Sequence, residues 1–157
     1  MGEVLGKEEE AQKLLSDFNE KITAAKKLLE EKEITSKTFS LMEGGNGSVW
    51  VFGDKWGRGG DLLYSHLGLK APDIIQEEII GKDQYRDVSM EVIGDYAGDY
   101  IIYSGELGDL EGNPVWESLP AVKSGNVIYI DYALFFNIDI FSTDVQLNYI
   151  MNQFAER

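Results

Sequence analysis

The segment Gly53-Asp54-Lys55-Trp56-Gly57-Arg58-Gly59-Gly60 sets an indole and a guanidinium two residues apart among glycines. An indole face packs on organic surface, and a guanidinium donates several hydrogen bonds to oxygen, so the pair suits an oxygen-rich ligand with apolar flanks. The plain alternative is a packed turn with a surface arginine. The segment lacks the Lys-Ser/Thr ending of a phosphate-binding P-loop, and its glycine spacing is not the dinucleotide fingerprint. A second aromatic group spans Tyr129-Ile130-Asp131-Tyr132-Ala133-Leu134-Phe135-Phe136. Tyr132, Phe135 and Phe136 follow its apolar run, where ligand loops gather at the carboxyl ends of parallel strands, and each ring reads as ligand wall or as core.

Other chemistry is sparse. His66 is the single histidine, which suits a surface or helix-packing role, and no serine sits in a G-x-S-x-G elbow. Asp95, Asp99, Glu106, Asp109 and Glu111 could form a divalent-ion site or an acid–base pair, but they lack the spacing of a calcium loop and default to a solvated acidic face. The absence of cysteine excludes disulfides, thiolate chemistry and Cys-rich zinc sites. No catalytic residue, metal ligand or cofactor is assigned, and the expectation is not an enzyme. A formal net charge of -14 opposes contact with nucleic acid and adsorption to anionic lipid. No run approaches the roughly 20 apolar residues of a spanning helix, and the start has neither the basic residues nor the long apolar run of a signal peptide.

These groups must be carried by a folded core, and 157 residues at 43% hydrophobic content fit one domain. Leu14, Phe18, Ile22, Ala25 and Leu29 recur at helical spacing and predict a helix over Leu5 to Glu33 with one apolar stripe. Strands are predicted over Lys37 to Met42 and Ser48 to Phe52, with glycines between them that permit a tight turn. A short helix follows over Asp61 to Leu67. Lys70 to Asp87 reads as loop-rich, and Ser89 as the cap of a helix starting Ser89-Met90-Glu91. Asp99 to Ser104 and Val127 to Ile130 read as strands. Asn113-Pro114 opens a helix carrying Trp116, and Ser142 to Phe154 closes the chain as a helix. The later strands alternate with helices, and their apolar runs suit strands covered on both sides, which predicts an α/β fold, a three-layer α/β/α sandwich with a mostly parallel sheet.

Against that background the chain resembles the C-terminal lobe of the iron-hydroxamate substrate-binding proteins of bacterial ABC importers, particularly Gram-positive ones. The resemblance runs over Leu5 to Ala11, Phe39-Ser40-Leu41-Met42-Glu43-Gly44, Trp56-Gly57-Arg58-Gly59-Gly60-Asp61-Leu62-Leu63-Tyr64, Tyr96 to Ile101, Asn113 to Leu119 and Ala121 to Val127. It implies one lobe of a two-lobed periplasmic-binding-protein-like receptor, with the ligand in the cleft. Residues 1–33 would be the end of the connecting segment and the first lobe helix, and residues 34–157 the rest of that lobe. The N-terminal lobe and the lipid anchor that holds such a parent protein on the outer face of the cell membrane would lie outside this chain.

The same resemblance implies the roles. Arg58 would contact hydroxamate oxygens of a siderophore that supplies all of the ligands to Fe(III), with no direct coordination by protein. Trp56, Tyr132, Phe135 and Phe136 would supply aromatic surface. The 132–139 stretch departs from the family's pattern, because Phe135, Asn137, Ile138 and Asp139 stand where a tryptophan and an Asn-Asp-Pro run often occur. Glu91 would dock on the ABC permease. Arg58 alone is a poor match for anionic catecholate or citrate complexes, so a neutral or cationic trihydroxamate is expected. The alternatives are a small metal-assisted hydrolase or an acidic protein-interaction module.

Overall fold

The computed structural model describes residues 7–45, 47–55 and 57–155. The predicted first helix is α1, Glu8–Glu31, and its stripe buries Phe18, Ile22, Ala25 and Leu29. It lies against the closing helix α6, Ile140–Ala155, and the Lys21 ammonium meets Asp144 Oδ1 at 2.6 Å across the seam. The strands are β1, Phe39–Gly44, β2, Ser48–Phe52, β3, Tyr85–Ser89, β4, Tyr100–Ser104, and β5, Val127–Ile130. Between them run the short helices α2, Asp73–Glu78, α3, Ile93–Tyr96, α4, Pro114–Ser118, and α5, Pro120–Lys123. The helix opened by Asn113-Pro114 is present as α4, and Asn113 caps it, its Oδ1 accepting from the Val115 N–H at 2.9 Å.

The expectation of a mostly parallel sheet is wrong. The strand order is β3-β2-β1-β4-β5, and β2 runs antiparallel to both of its neighbours, β1 and β3. Of the four strand pairings described, β1–β4 and β4–β5 are the parallel ones. The physical reason lies in the connection from Gly44 to Ser48. A link this short can only turn back on itself, whereas a parallel pair needs a crossover of about a dozen residues or more. The alternation of the later strands with helices holds for β4 and β5, but it does not make the whole sheet parallel.

The 70–93 region holds more regular structure than expected. Lys70 to Asp87 is loop or turn over half of its length, and α2 and the first three residues of β3 take up the rest. Ser89 ends β3 rather than capping a helix, and α3 starts at Ile93. As an edge strand β3 buries only Val88, so its polar sequence carries no apolar run to betray it.

Alternation of side chains along the strands divides the core in two. Phe39, Leu41, Phe52, Ile102, Ile128 and Ile130 face α1 and α6. Met42, Val49, Val51, Val88, Ile101 and Tyr103 face the short helices, packed by Ile75, Ile93, Trp116 and Ala121. The result is a single α/β/α sandwich on a mixed sheet. Burial of each such side chain contributes about 1.5–3 kcal/mol.

Candidate functional site

The glycines of the 57–60 segment are demanded by close approach. Gly57, Arg58 and Gly59 have φ of 87°, 63° and 87°, all in the left-handed region. A Cβ on Gly57 would run into the carbonyl oxygen of Phe136, and one on Gly59 would lie 2.8 Å from Phe135 Cδ1. The loop after β2 therefore lies directly on the segment after β5, although β1 and β4 separate those strands in the sheet. Beyond the loop, Asp61–His66 forms a wide π-type turn, in which the Leu67 N–H donates to Leu62 O at 2.9 Å. His66 sits in this turn, 3.2 Å from Asp61 Oδ2 and edge-on to Phe18, a packing position.

The segment after β5 is fastened from below. Asp131 Oδ1 accepts from the Leu134 N–H at 3.0 Å. Buried Gln146 of α6 donates through Nε2 to Leu134 O at 3.0 Å and to Asn137 O at 2.9 Å. Asp139 caps α6, accepting from Phe141 N–H and Ser142 N–H, each at 3.1 Å, and from Ser142 Oγ at 2.6 Å. The Ser142 hydroxyl and amide bonds hold its carboxyl below the usual range.

On this platform the Arg58 guanidinium lies 4.0 Å from the Tyr132 ring centre, 5.4 Å from that of Phe136 and 5.6 Å from that of Phe52. Its Nε approaches Glu43 Oε2 at 2.8 Å, with the two side chains 13% and 16% exposed. That contact is not aligned as a hydrogen bond, and the aligned one, Nη2 to Oε1, is long at 3.5 Å. The pair is thus a charge contact with spare donor capacity, and among the described residues Nη1 makes no hydrogen bond.

The predicted residues do not all converge. Tyr132 and Phe136 are 44% and 53% exposed and flank Arg58. Phe135 is fully buried, edge-on to Tyr149, so it braces the loop from the core side instead of facing a ligand. Trp56 lies outside the described residues. Glu91 is exposed in the turn between β3 and α3, and because Ser89 pairs with Ser48 it follows at the same sheet edge as the β1–β2 hairpin.

Sequence reasoning missed Glu43, Gln146 and Trp50. Trp50 pairs with Glu43, which puts both on one face, and it is 40% exposed against Tyr85. Alternation along β2 from buried Val49 and Val51 is the signal that would have singled it out.

Next to Glu43 a hollow of about 400 Å³ opens, lined by Glu43, Ser104, Glu106, Asp109, Tyr132 and intervening glycines. Beside it, burial and then the Glu43 charge push the Tyr103 phenol up to about 12, while its hydroxyl donates to Gly44 O. A larger hollow of about 540 Å³ between α1 and α6 is walled by Leu14, Phe18, Ile140 and Phe141. Its lysine is already committed to Asp144, so Arg58 and its surroundings are the better candidate for recognition. Among the described residues no group of three or more His, Asp or Glu could hold a metal ion, and no helix is long and apolar enough to cross a membrane.

The fold is shared with known proteins. The chain is 36% identical to the iron(3+)-hydroxamate-binding protein YxeB of Bacillus subtilis, over 99% of this chain and 51% of that protein. It superposes with a TM-score of 0.87 on a FhuD fold-family periplasmic binding protein component of a Fep/Fec-like ferrichrome ABC transporter from Bacillus subtilis, at 35% identity, covering 96% of this chain and 58% of that one. FhuD2 from Staphylococcus aureus with bound ferrioxamine B gives 0.83 at 28% identity, over 96% of this chain and 60% of that one. The chain thus spans about half the length of the curated relatives it matches. The periplasmic binding protein family matches over residues 1–134, and the chain belongs to that family.

Proposed function

We propose that this chain is the C-terminal lobe of a two-lobed receptor that binds ferric hydroxamate siderophores and delivers them to an ABC importer. Residues 1–33 then close the connecting segment and open the lobe, and residues 34–157 complete it. The observation that carries the proposal is the guanidinium of Arg58, stacked on Tyr132 with Nη1 uncommitted among the described residues. Its N–H groups donate to the outer oxygens of hydroxamates whose inner charge is already spent on Fe(III), so the protein grips a finished complex without coordinating iron. Tyr132 and Phe136 cover the organic backbone, with Trp56 and Trp50 as further aromatic surface. The lobe is a binding surface and performs no catalysis.

Delivery needs a second face. Glu91, exposed at the same sheet edge as the hairpin beside the site, docks on a basic patch of the permease, where a paired charge sets orientation more than affinity. The parent protein acts on the outer face of the membrane of a Gram-positive bacterium, held there by a lipid anchor.

The test is an NMR titration of the chain with the gallium(III) complex of a trihydroxamate, a diamagnetic stand-in for the ferric one. Amide shifts centred on Gly57, Arg58, Gly59 and Tyr132, lost in Arg58→Gln, are expected. Saturable binding at a surface remote from Arg58, or no response at millimolar complex, would reject the assignment.

A further inference from the structure

The hollow beside Arg58 has a charge pattern that hydroxamate oxygens do not require. Glu43 already opposes Arg58 at 2.8 Å, so the remaining wall carboxylates, Glu106 and Asp109, leave two negative charges uncompensated. Among the described residues neither of these carboxylates has an ion pair or a hydrogen bond. A cluster of acids alone would be only a solvated surface. Here a second feature accompanies it: Ser104, at the end of β4, also lines the hollow, is 1% exposed, and its Oγ has no hydrogen-bond partner among the described residues. A buried hydroxyl without a partner costs about 1–3 kcal/mol, so its place in the wall points to a group that arrives with the ligand.

We propose that this hollow is a subsite for a primary ammonium on a flexible arm of the siderophore complex. The inference rests on the assignment of the chain as a hydroxamate-binding lobe, and it names which hydroxamates are favoured. An ammonium brings three donors and no acceptor. The lining residues offer the complementary set, with the Ser104 hydroxyl as a neutral acceptor and Glu106 and Asp109 as carboxylates. Tyr132 belongs both to the hollow and to the Arg58 stack, so a head group held by Arg58 has the hollow within reach of a short alkyl arm. About 400 Å³ accommodates such an arm. The same carboxylates repel complexes that carry net negative charge, such as ferric citrate, so one wall both attracts the cationic arm and excludes anions.

The discriminating probes share one head group. The gallium(III) complex of the ferrioxamine B chelator ends in an ammonium, and acetylating that amine removes the charge while leaving the three hydroxamates untouched. At low salt the amine form should bind the chain about five- to tenfold more tightly than the acetylated form, as two partly exposed ion pairs would give. The amides of Gly105 and Gly108 should shift only with the amine form. In the double variant Glu106→Gln/Asp109→Asn, both sites being exposed, the ratio should fall to near one, and added salt should lower it in the wild type. Equal affinities in the wild type, or an unchanged ratio in the variant, would overturn the subsite while leaving hydroxamate binding intact. Failure of both complexes to bind would instead remove the functional assignment and the subsite with it.

Discussion

Gly59→Ala tests whether the loop carrying Arg58 is held by contact with the core. Two costs are expected. An L-residue in the left-handed region loses about 1–2 kcal/mol, and Gly59 has φ of 87°. The added Cβ would also sit 2.8 Å from Phe135 Cδ1, well inside the ~3.5–4.0 Å of a comfortable carbon contact. Phe135 is fully buried and cannot swing aside, so overpacking adds about 1–3 kcal/mol. Gly68 supplies the control, since its φ is 69° but a Cβ added there would meet nothing within 4 Å. Gly68→Ala should therefore show the backbone cost alone. Urea unfolding, followed by tryptophan fluorescence with the slope checked for constancy, should place Gly59→Ala about 1–3 kcal/mol below Gly68→Ala. The double variant Gly59→Ala/Phe135→Leu should recover part of that difference, because the leucine vacates the space that Cβ needs. Equal losses at Gly59 and Gly68, or no coupling with Phe135, would show that the loop is not braced by that ring.

Tyr132→Leu removes the ring under Arg58 while leaving the fold intact, and should weaken binding of the gallium trihydroxamate complex by about 1 kcal/mol, roughly fivefold; unchanged affinity would deny the stack a role. Gln146→Leu deprives Leu134 O and Asn137 O of their donor and should cost about 1–2 kcal/mol in urea unfolding with faster amide exchange over residues 134–139; an unaltered exchange pattern there would contradict the clamp. The Asp139 carboxyl, depressed by the Ser142 bonds, should titrate by carbon-13 NMR below the usual aspartate midpoint. Its contribution to stability is then present above the unfolded-state value and disappears as pH falls through the folded one; a midpoint at or above the usual value would refute the cap.

The sequence made the two halves of the site visible but not their meeting. The glycines around Arg58 and the rings after β5 stand out by composition, because backbone freedom and aromatic surface are properties of residue types. The stripe of α1 and the helix start at Pro114 were legible because both signals are local. What sequence hid was set by partners distant along the chain. Glu43 reads as one more strand residue until β2 returns beside β1, and Gln146 reads as surface until α6 closes over the 131–139 segment. Phe135 and Phe136 are adjacent and chemically alike, yet one is fully buried and the other 53% exposed. Only the direction of the chain after β5 separates them.

The reversed strand that upset the expected sheet also shapes the site. A parallel β2 would have needed a crossover over one face before the 53–60 loop could begin. As a hairpin partner it starts beside the mouth of the sheet and runs away from it, ending at Phe52 opposite Leu41. Phe52 and Glu43 then project from the same face, and Arg58 lies over the first while contacting the second. The glycine-rich turn brings the chain back above that face, where the segment after β5 arrives from the opposite flank of the sheet. A site assembled this way depends on tertiary packing for every one of its distances, so core substitutions at Phe135 or Gln146 should alter recognition without touching the ligand.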